Sequence, residues 1–141
     1  YPVWNCDMTD LDVLFDYRMR QARETLTDAE GMLRDGYSSR SIINRSYYVL
    51  FYSLLALYVK EEFALSTSKH AGIITIFDRD YVRTGIFDKK YSRILHMMFD
   101  LRQECDYKEL SDITEEEASQ AVQNAGEFFT AIEKYIESKN Q

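Results

Sequence analysis

Arg45 and Tyr52 are the first residues whose types and spacing could act on a phosphate. They are seven positions apart in a segment with helical character, so both side chains fall on one face, two turns and roughly 10.5 Å apart along the axis. A guanidinium at Arg45 could bind a phosphate, while position 52 could carry a proton-transfer group. RNA cleavage by the 2′-hydroxyl of the RNA itself needs these two functions, a base with a near-neutral pKa and a cation for the phosphate charge.

The residue type at position 52 favours binding over cleavage. A phenol has an ordinary pKa of about 10, so Tyr52 is a poor base near neutral pH. Tyr48 lies one turn earlier on the same helix. The two rings could stack against nucleotide bases, or they could be core or dimer-interface aromatics with satisfied hydroxyls.

Three further residues are candidates from other segments. His70 follows Lys69 at an expected helix start, where it could supply the missing base or be only a cap or surface group. Arg102 precedes Asp106 by four positions, and a helical ion pair is the favoured interpretation. The candidate catalytic residues are Arg45, Tyr52 and His70, and the candidate ligand-binding residues are Arg45, Tyr48, Tyr52, Lys69 and Arg102.

No metal site or cofactor is expected from the remaining polar residues. The chain has two histidines, without an HxxxH or Glu-x-x-His pattern, and His96 is expected to be a packing residue among apolar neighbours. Cys6 and Cys105 are far apart and form no CxxC pair, which predicts neither zinc nor a disulfide and fits a reducing, cytoplasmic location. The acidic run Glu115–Glu117 is typical of a helix start.

Charge and composition restrict the classes of partner. The net charge of −7 and the pI near 4.8 argue against a general nucleic-acid binder, so no DNA partner is expected and any RNA contact must be local. The longest apolar run, residues 47–59, is interrupted by serine and tyrosine and is too short to span a bilayer. Residues 1–7 lack the basic start and apolar core of a signal peptide, so no membrane partner is expected.

The elements that must position these residues are helices. One proline and five glycines in 141 residues leave few breaks, and the apolar residues recur with helical spacing. The expected helices begin at caps Thr9, Ser38 or Ser39, and Asp88, at about Lys69, and at the capping box Thr114–Glu117. We therefore predict an all-α, up-down bundle of four long helices plus one short helix, spanning residues 9–138. Residues 1–8 would be an N-terminal extension and 139–141 a frayed end.

Three motifs in a fixed order carry a family resemblance. Residues 45–52 are similar to the pattern Arg-x-Tyr-Tyr-x-x-Phe-His or Tyr, residues 69–73 to Lys-His-x-Gly-hydrophobic, and residues 101–107 to Leu-Arg-Gln-x-x-Asp-Tyr. The chain thus resembles the HEPN domain family over roughly residues 11–138.

The resemblance implies a helical bundle that pairs as a homodimer. Many members are metal-independent endoribonucleases, with an Arg and a His separated by four to six residues on one helix and a site formed across the dimer. Small members often act beside a minimal nucleotidyltransferase as a toxin–antitoxin pair, and others bind nucleotide or serve as interaction modules. In this sequence Tyr52 stands where the His is expected.

Two functions remain open at this point. The first is a non-catalytic or weakly active module of a toxin–antitoxin-like system, which binds nucleotide, RNA or a nucleotidyltransferase partner. The alternative is a metal-independent endoribonuclease toxin that uses Arg45 with Tyr52 or His70. The second helix is apolar nearly all round, so we expect it to be central and partly buried in a homodimer.

Overall fold

The fold was obtained as a computed structural model, and the structure describes residues 9–107 and 112–140. Its helices are α1 (Asp10–Arg34), α2 (Ser39–Lys60), α3 (His70–Phe77), α4 (Lys89–Cys105) and α5 (Glu115–Lys139). No strand occurs in these ranges. The predicted all-α bundle of four long helices and one short helix is therefore confirmed. The predicted extension at residues 1–8, Cys6 within it, and Gln141 lie outside the described residues.

The helices begin where the sequence places their caps. Thr9 and Thr114 each form a full capping box. The carboxylates of Asp12 and Glu117 accept hydrogen bonds from the backbone amides of these two threonines. The side chains of Ser38 and Asp88 accept hydrogen bonds from backbone amides in the first turns of α2 and α4. Four of the five helix starts are thus specified by local side-chain chemistry.

Helix α2 is the centre of the bundle and packs against all the other helices. Its buried residues cover most of the circumference and leave one stripe, which contains Arg45, Tyr48, Tyr52 and Leu55, only partly buried. The buried residues are Ile42, Ile43, Ser46, Tyr47, Val49, Leu50, Phe51, Ser53, Leu54, Ala56, Leu57 and Tyr58. By length and hydropathy alone α2 could also cross a membrane, but 61% of its 18-residue apolar stretch is buried inside the bundle. Such burial is what the core helix of a bundle requires.

Helix α3 continues directly into a π-helical turn, Asp78–Val82, beyond the predicted end near Asp80. Asp78 fixes this turn to α4, because its carboxylate accepts a hydrogen bond from Ser92 and pairs with His96. His96 is therefore exposed and hydrogen-bonded to Asp78 rather than a packing residue, which corrects the sequence expectation. The hydroxyl of Tyr58 on α2 donates to the carbonyl of Ile73, which fixes α3 against the central helix.

One buried polar group on α2 has no partner, and this generates a stability prediction. The Ser46 hydroxyl is fully buried and makes no hydrogen bond. Because an unpaired buried hydroxyl lowers stability, Ser46→Ala should leave the free energy of unfolding unchanged or raise it by up to about 1 kcal/mol. Leu50→Ala, at a neighbouring fully buried position, should instead cost roughly 2–5 kcal/mol. Urea denaturation measures both, and a loss above about 1 kcal/mol for Ser46→Ala would contradict the prediction.

Candidate functional site

Arg45 and Tyr52 lie on the same side of α2, as their spacing predicts, and line a polar groove against α1. The groove has a volume of about 290 Å³, and α1 contributes Tyr17 and Arg20 to it. The guanidinium of Arg45 pairs with the Asp28 carboxylate at 3.4 Å, and both side chains are well exposed. Part of the Arg45 charge is therefore already balanced by a neighbour.

His70 lies on a different side of α2, packed against its aromatic residues. Its Nδ1 is 2.8 Å from the Tyr47 hydroxyl, and its ring stacks on Phe51 with 4.0 Å between centroids. The chain can reach this position because residue 72 is glycine. A Cβ at Gly72 would meet the Thr67 side chain at 2.5 Å, which is closer than any real contact. His70 is thus held by specific contacts and is not merely a cap or surface group.

Arg102 on α4 reaches the same aromatic group. Its guanidinium lies 5.3 Å from the ring centroids of both Tyr47 and Tyr48, within cation–π distance. It also donates to the Tyr48 hydroxyl and to the Asn44 side chain, each at 3.3 Å. The local ion pair with Asp106 that the sequence favours is not among the ion pairs of residues 9–107 and 112–140, because Arg102 is directed towards α2 instead.

The pKa values at this cluster follow from burial and from the Arg102 charge. Burial first, and then the positive charge of Arg102, lower the pKa of His70 below its ordinary value of 6.5. Burial raises the pKa of the Tyr47 hydroxyl well above its ordinary value of 10, and Arg102 offsets this only in part. Near neutral pH the cluster therefore holds a neutral imidazole, a neutral phenol and a full positive charge on Arg102.

The two groups of residues are joined through Tyr48. The Tyr48 and Tyr52 rings are 5.6 Å apart, and Tyr52 shares its groove with Arg45. Arg45, Tyr48 and Tyr52 thus follow one another on one side of α2, with Arg102 bound to Tyr48, and we call these four residues the α2 strip. His70 borders this strip, with its ring edge-on to Tyr48 at 5.8 Å. Lys69 is exposed beside it as the residue before α3. The sequence candidates thus lie near one another, although they come from α2, α3 and α4.

Sequence reasoning missed two contributors to the site. Tyr47 is not among the sequence candidates, yet its hydroxyl is the hydrogen-bond partner of His70. Asn44 is also not among the candidates, although its side-chain oxygen accepts a hydrogen bond from Arg102. The adjacent tyrosines were the available signal, since a buried phenol needs a hydrogen-bond partner. In the part of the chain described, no group of three His, Cys, Asp or Glu side chains could hold a metal ion.

Comparison with known proteins identifies the family to which this helical bundle belongs. The HEPN domain family model matches residues 15–135, which is most of the chain. The chain therefore belongs to the HEPN domain family.

Individual relatives agree with this assignment. A protein of Thermotoga maritima named "UPF0332 protein" is 38% identical over 130 residues, which cover 92% of this chain and 96% of the relative. Two proteins of Methanocaldococcus jannaschii are also similar. "Putative toxin MJ0605" is 33% identical over 82% of this chain and 83% of its own length, and "Putative toxin MJ0142" is 25% identical over 86% and 81%.

The lowered pKa of His70 predicts a pH dependence of stability. Because the folded state disfavours the charged imidazole, the unfolded chain binds the proton more readily. The stabilisation is fully present above the unfolded pKa near 6.5 and is lost as pH falls towards the lowered folded value. Between about pH 7.5 and about pH 5, the free energy of unfolding should fall more steeply in the wild type than in His70→Gln.

The measurement is urea denaturation at both pH values. His96→Gln keeps His70 and replaces the exposed histidine, so its slope should stay steeper than that of His70→Gln. Equal slopes for the wild type and His70→Gln would show that the folded state does not disfavour the imidazolium.

Proposed function

We propose that this HEPN protein binds single-stranded RNA or a nucleotide along the α2 strip, as the toxin-like member of a two-protein system. The observation that carries the proposal is the position of Arg102, a guanidinium held against the faces of Tyr47 and Tyr48. Single-stranded nucleic acids are bound by this combination, cations for phosphates and aromatic rings on which bases stack. The names of the similar proteins support the toxin role.

Arg102 is the better phosphate ligand of the two arginines. Arg45 is paired with Asp28, so a phosphate there must displace or share a carboxylate. The contacts of Arg102 are to a phenol, an amide oxygen and two rings, none of which carries a negative charge. Its charge is therefore available to a phosphate, and the geometry of its planar group is already fixed. We assign Arg45 and Lys69 secondary roles at the two ends of the contact.

A second candidate function, metal-independent RNA cleavage, is favoured by the state of His70. If Nδ1–H donates to the Tyr47 oxygen, Nε2 carries the lone pair of a neutral base. Nε2 could then accept the proton of a 2′-hydroxyl while Arg102 stabilises the charge on the attacked phosphate. The 2′-oxygen would form a bond to phosphorus as the P–O5′ bond breaks, and the leaving 5′-oxygen would take up a proton from the imidazolium or from water. In this mechanism His70 replaces the histidine that the family pattern expects at position 52. Tyr52 would only stack.

The binding test uses a fluorescein-labelled single-stranded RNA and fluorescence anisotropy. Arg102→Gln should weaken binding at least tenfold, because it removes a charge-assisted contact of about 1.5–3 kcal/mol. The loss of RNA affinity in Arg45→Gln should be several-fold smaller than the loss in Arg102→Gln. The matched control is Arg83→Gln, an exposed arginine near the opposite end of α2, roughly 20 Å from Tyr48 by helix length. Equal effects at Arg83 and Arg102 would reduce the interaction to general electrostatics and contradict the proposal.

Binding of a single-stranded DNA of the same sequence shows whether the protein prefers RNA or binds any single strand, and binding of ATP tests a nucleotide ligand. We expect the DNA to bind more weakly than the RNA.

The cleavage test uses the same RNA with excess chelator and denaturing gels. The binding function predicts intact RNA for the wild type. Metal-independent cleavage that is lost in both His70→Ala and Arg102→Gln would favour the second candidate instead. Cleavage that survives in both variants would exclude this site as its source.

We also propose that the protein is a homodimer and that a nucleotidyltransferase is its partner. Val13 and Tyr17 on α1 are more than half exposed, and Leu55 and Val59 on α2 remain partly exposed in the single chain. A second copy that covers these residues would bring two α2 strips to a shared cleft, as the family resemblance implies.

The dimer prediction concerns the paired variant Val13→Glu and Tyr17→Glu. Two carboxylates in an apolar interface should convert a dimer into a monomer at micromolar concentration, as measured by sedimentation velocity. The matched control, Ile86→Glu, places the same charge at another exposed apolar residue, between the π-helical turn and α4, and should leave the dimer intact. A wild-type monomer would contradict the prediction.

A further inference from the structure

A second concave surface lies on the other side of α4, away from the α2 strip. It is an apolar groove of about 650 Å³ between α4 and α5. Its wall on α4 contains Met97, Met98 and Leu101, and α5 contributes Ala121. Met97 is 50% exposed although it is a large apolar side chain. We call this surface the α4–α5 groove.

The groove has charged groups at its edges that are separated by sign. Asp100, Glu104 and Glu117 line one end, and Arg93 lines the other. Asp100 and Glu104 also line an adjoining cleft with Tyr107, whose side chain is 90% exposed. One end of the groove is thus acidic and continues into an exposed aromatic residue.

The dimensions match a helix rather than a compact ligand. Arg93 and Glu104 are eleven positions apart on α4, which is roughly 16 Å along the helix axis and about three turns. A groove between two helices with an apolar floor is a common receptor for an amphipathic helix. Methionine suits such a receptor, because its flexible side chain adapts to the residues that dock on it.

We propose that the α4–α5 groove binds an amphipathic helix of a partner protein, with basic residues flanking its apolar face. The choice of a basic helix rests on charge complementarity, since three carboxylates line the end that is nearest to Tyr107. A second copy of this chain is a poorer match, because each copy carries a net charge of −7. The existence of this docking surface does not depend on the proposed function. Only the identity of the partner rests on it.

Binding in this groove leaves the α2 strip accessible. At 100° per residue, Asp100 and Glu104 are about 160° around α4 from Arg102, whose guanidinium contacts residues of α2. Peptide and RNA should therefore bind at the same time. Because the two surfaces are separate, either binding activity can be present without the other, and an experiment can distinguish their failures.

The test uses a fluorescein-labelled amphipathic peptide of about four helical turns, with leucines on one face and lysines beside them. A second peptide carries glutamates in place of the lysines. The lysine peptide should bind the wild type at micromolar concentration, and the glutamate peptide should bind at least tenfold more weakly. The double variant Asp100→Lys, Glu104→Lys should reverse this order of affinity.

The matched control is the double variant Glu30→Lys, Glu137→Lys, which makes the same change of net charge at exposed residues on α1 and α5. It should retain the preference of the wild type, and Met97→Asp should weaken both peptides.

Three results would overturn the proposal: no binding of the lysine peptide at ~1 mM, loss of the preference in the control variant, or a change of oligomeric state in the Asp100 and Glu104 variant, which would make the groove a contact between copies. RNA affinity is measured on the same samples, so a failure of the proposed function is recorded separately.

Discussion

The fold depends on the burial of α2, a helix that is apolar on nearly every side and cannot remain in contact with water. Twelve of its residues between Ile42 and Tyr58 are buried, and each of the other helices packs against part of its circumference. Residues that are distant in sequence therefore converge on it. Arg102 and His70 meet there because α3 and α4 must cover the same aromatic face, not because any local signal brings them together.

Polar groups on a buried helix must find partners, and this requirement gives α2 most of its specific contacts. The Ser53 hydroxyl donates a hydrogen bond to the Val49 carbonyl of the same helix, and the Tyr58 hydroxyl donates to the carbonyl of Ile73. At Tyr47 the partner is His70, a group that can itself transfer protons. A structural role and a chemical role are therefore compatible at this contact. The hydrogen bond orients the imidazole, and its partial burial together with Arg102 keeps it neutral.

The helix starts were predictable from sequence because caps are local, as the boxes at Thr9 and Thr114 demonstrate. The common face of Arg45 and Tyr52 was predictable for the same reason, since a helix fixes relative angles. The long-range partners were not predictable. A four-residue spacing favours Arg102 with Asp106, but cation–π and hydrogen-bonding contacts across two helices hold Arg102 elsewhere. His96, expected in the core, instead pairs with Asp78 in a π-helical turn whose presence no sequence pattern indicated.

An acidic chain that recognises an anion must do so by local geometry. The net charge of −7 repels phosphates at long range, so general attraction to nucleic acid is suppressed. In the proposed RNA complex, affinity would then come from short-range contacts, namely stacking on Tyr48 and Tyr52 and the oriented guanidinium of Arg102. Such contacts are less sensitive to salt than an attraction that depends on counterion release. They favour a flexible single strand whose bases can reach the rings. The same negative charge would favour the basic helix that we propose for the α4–α5 groove.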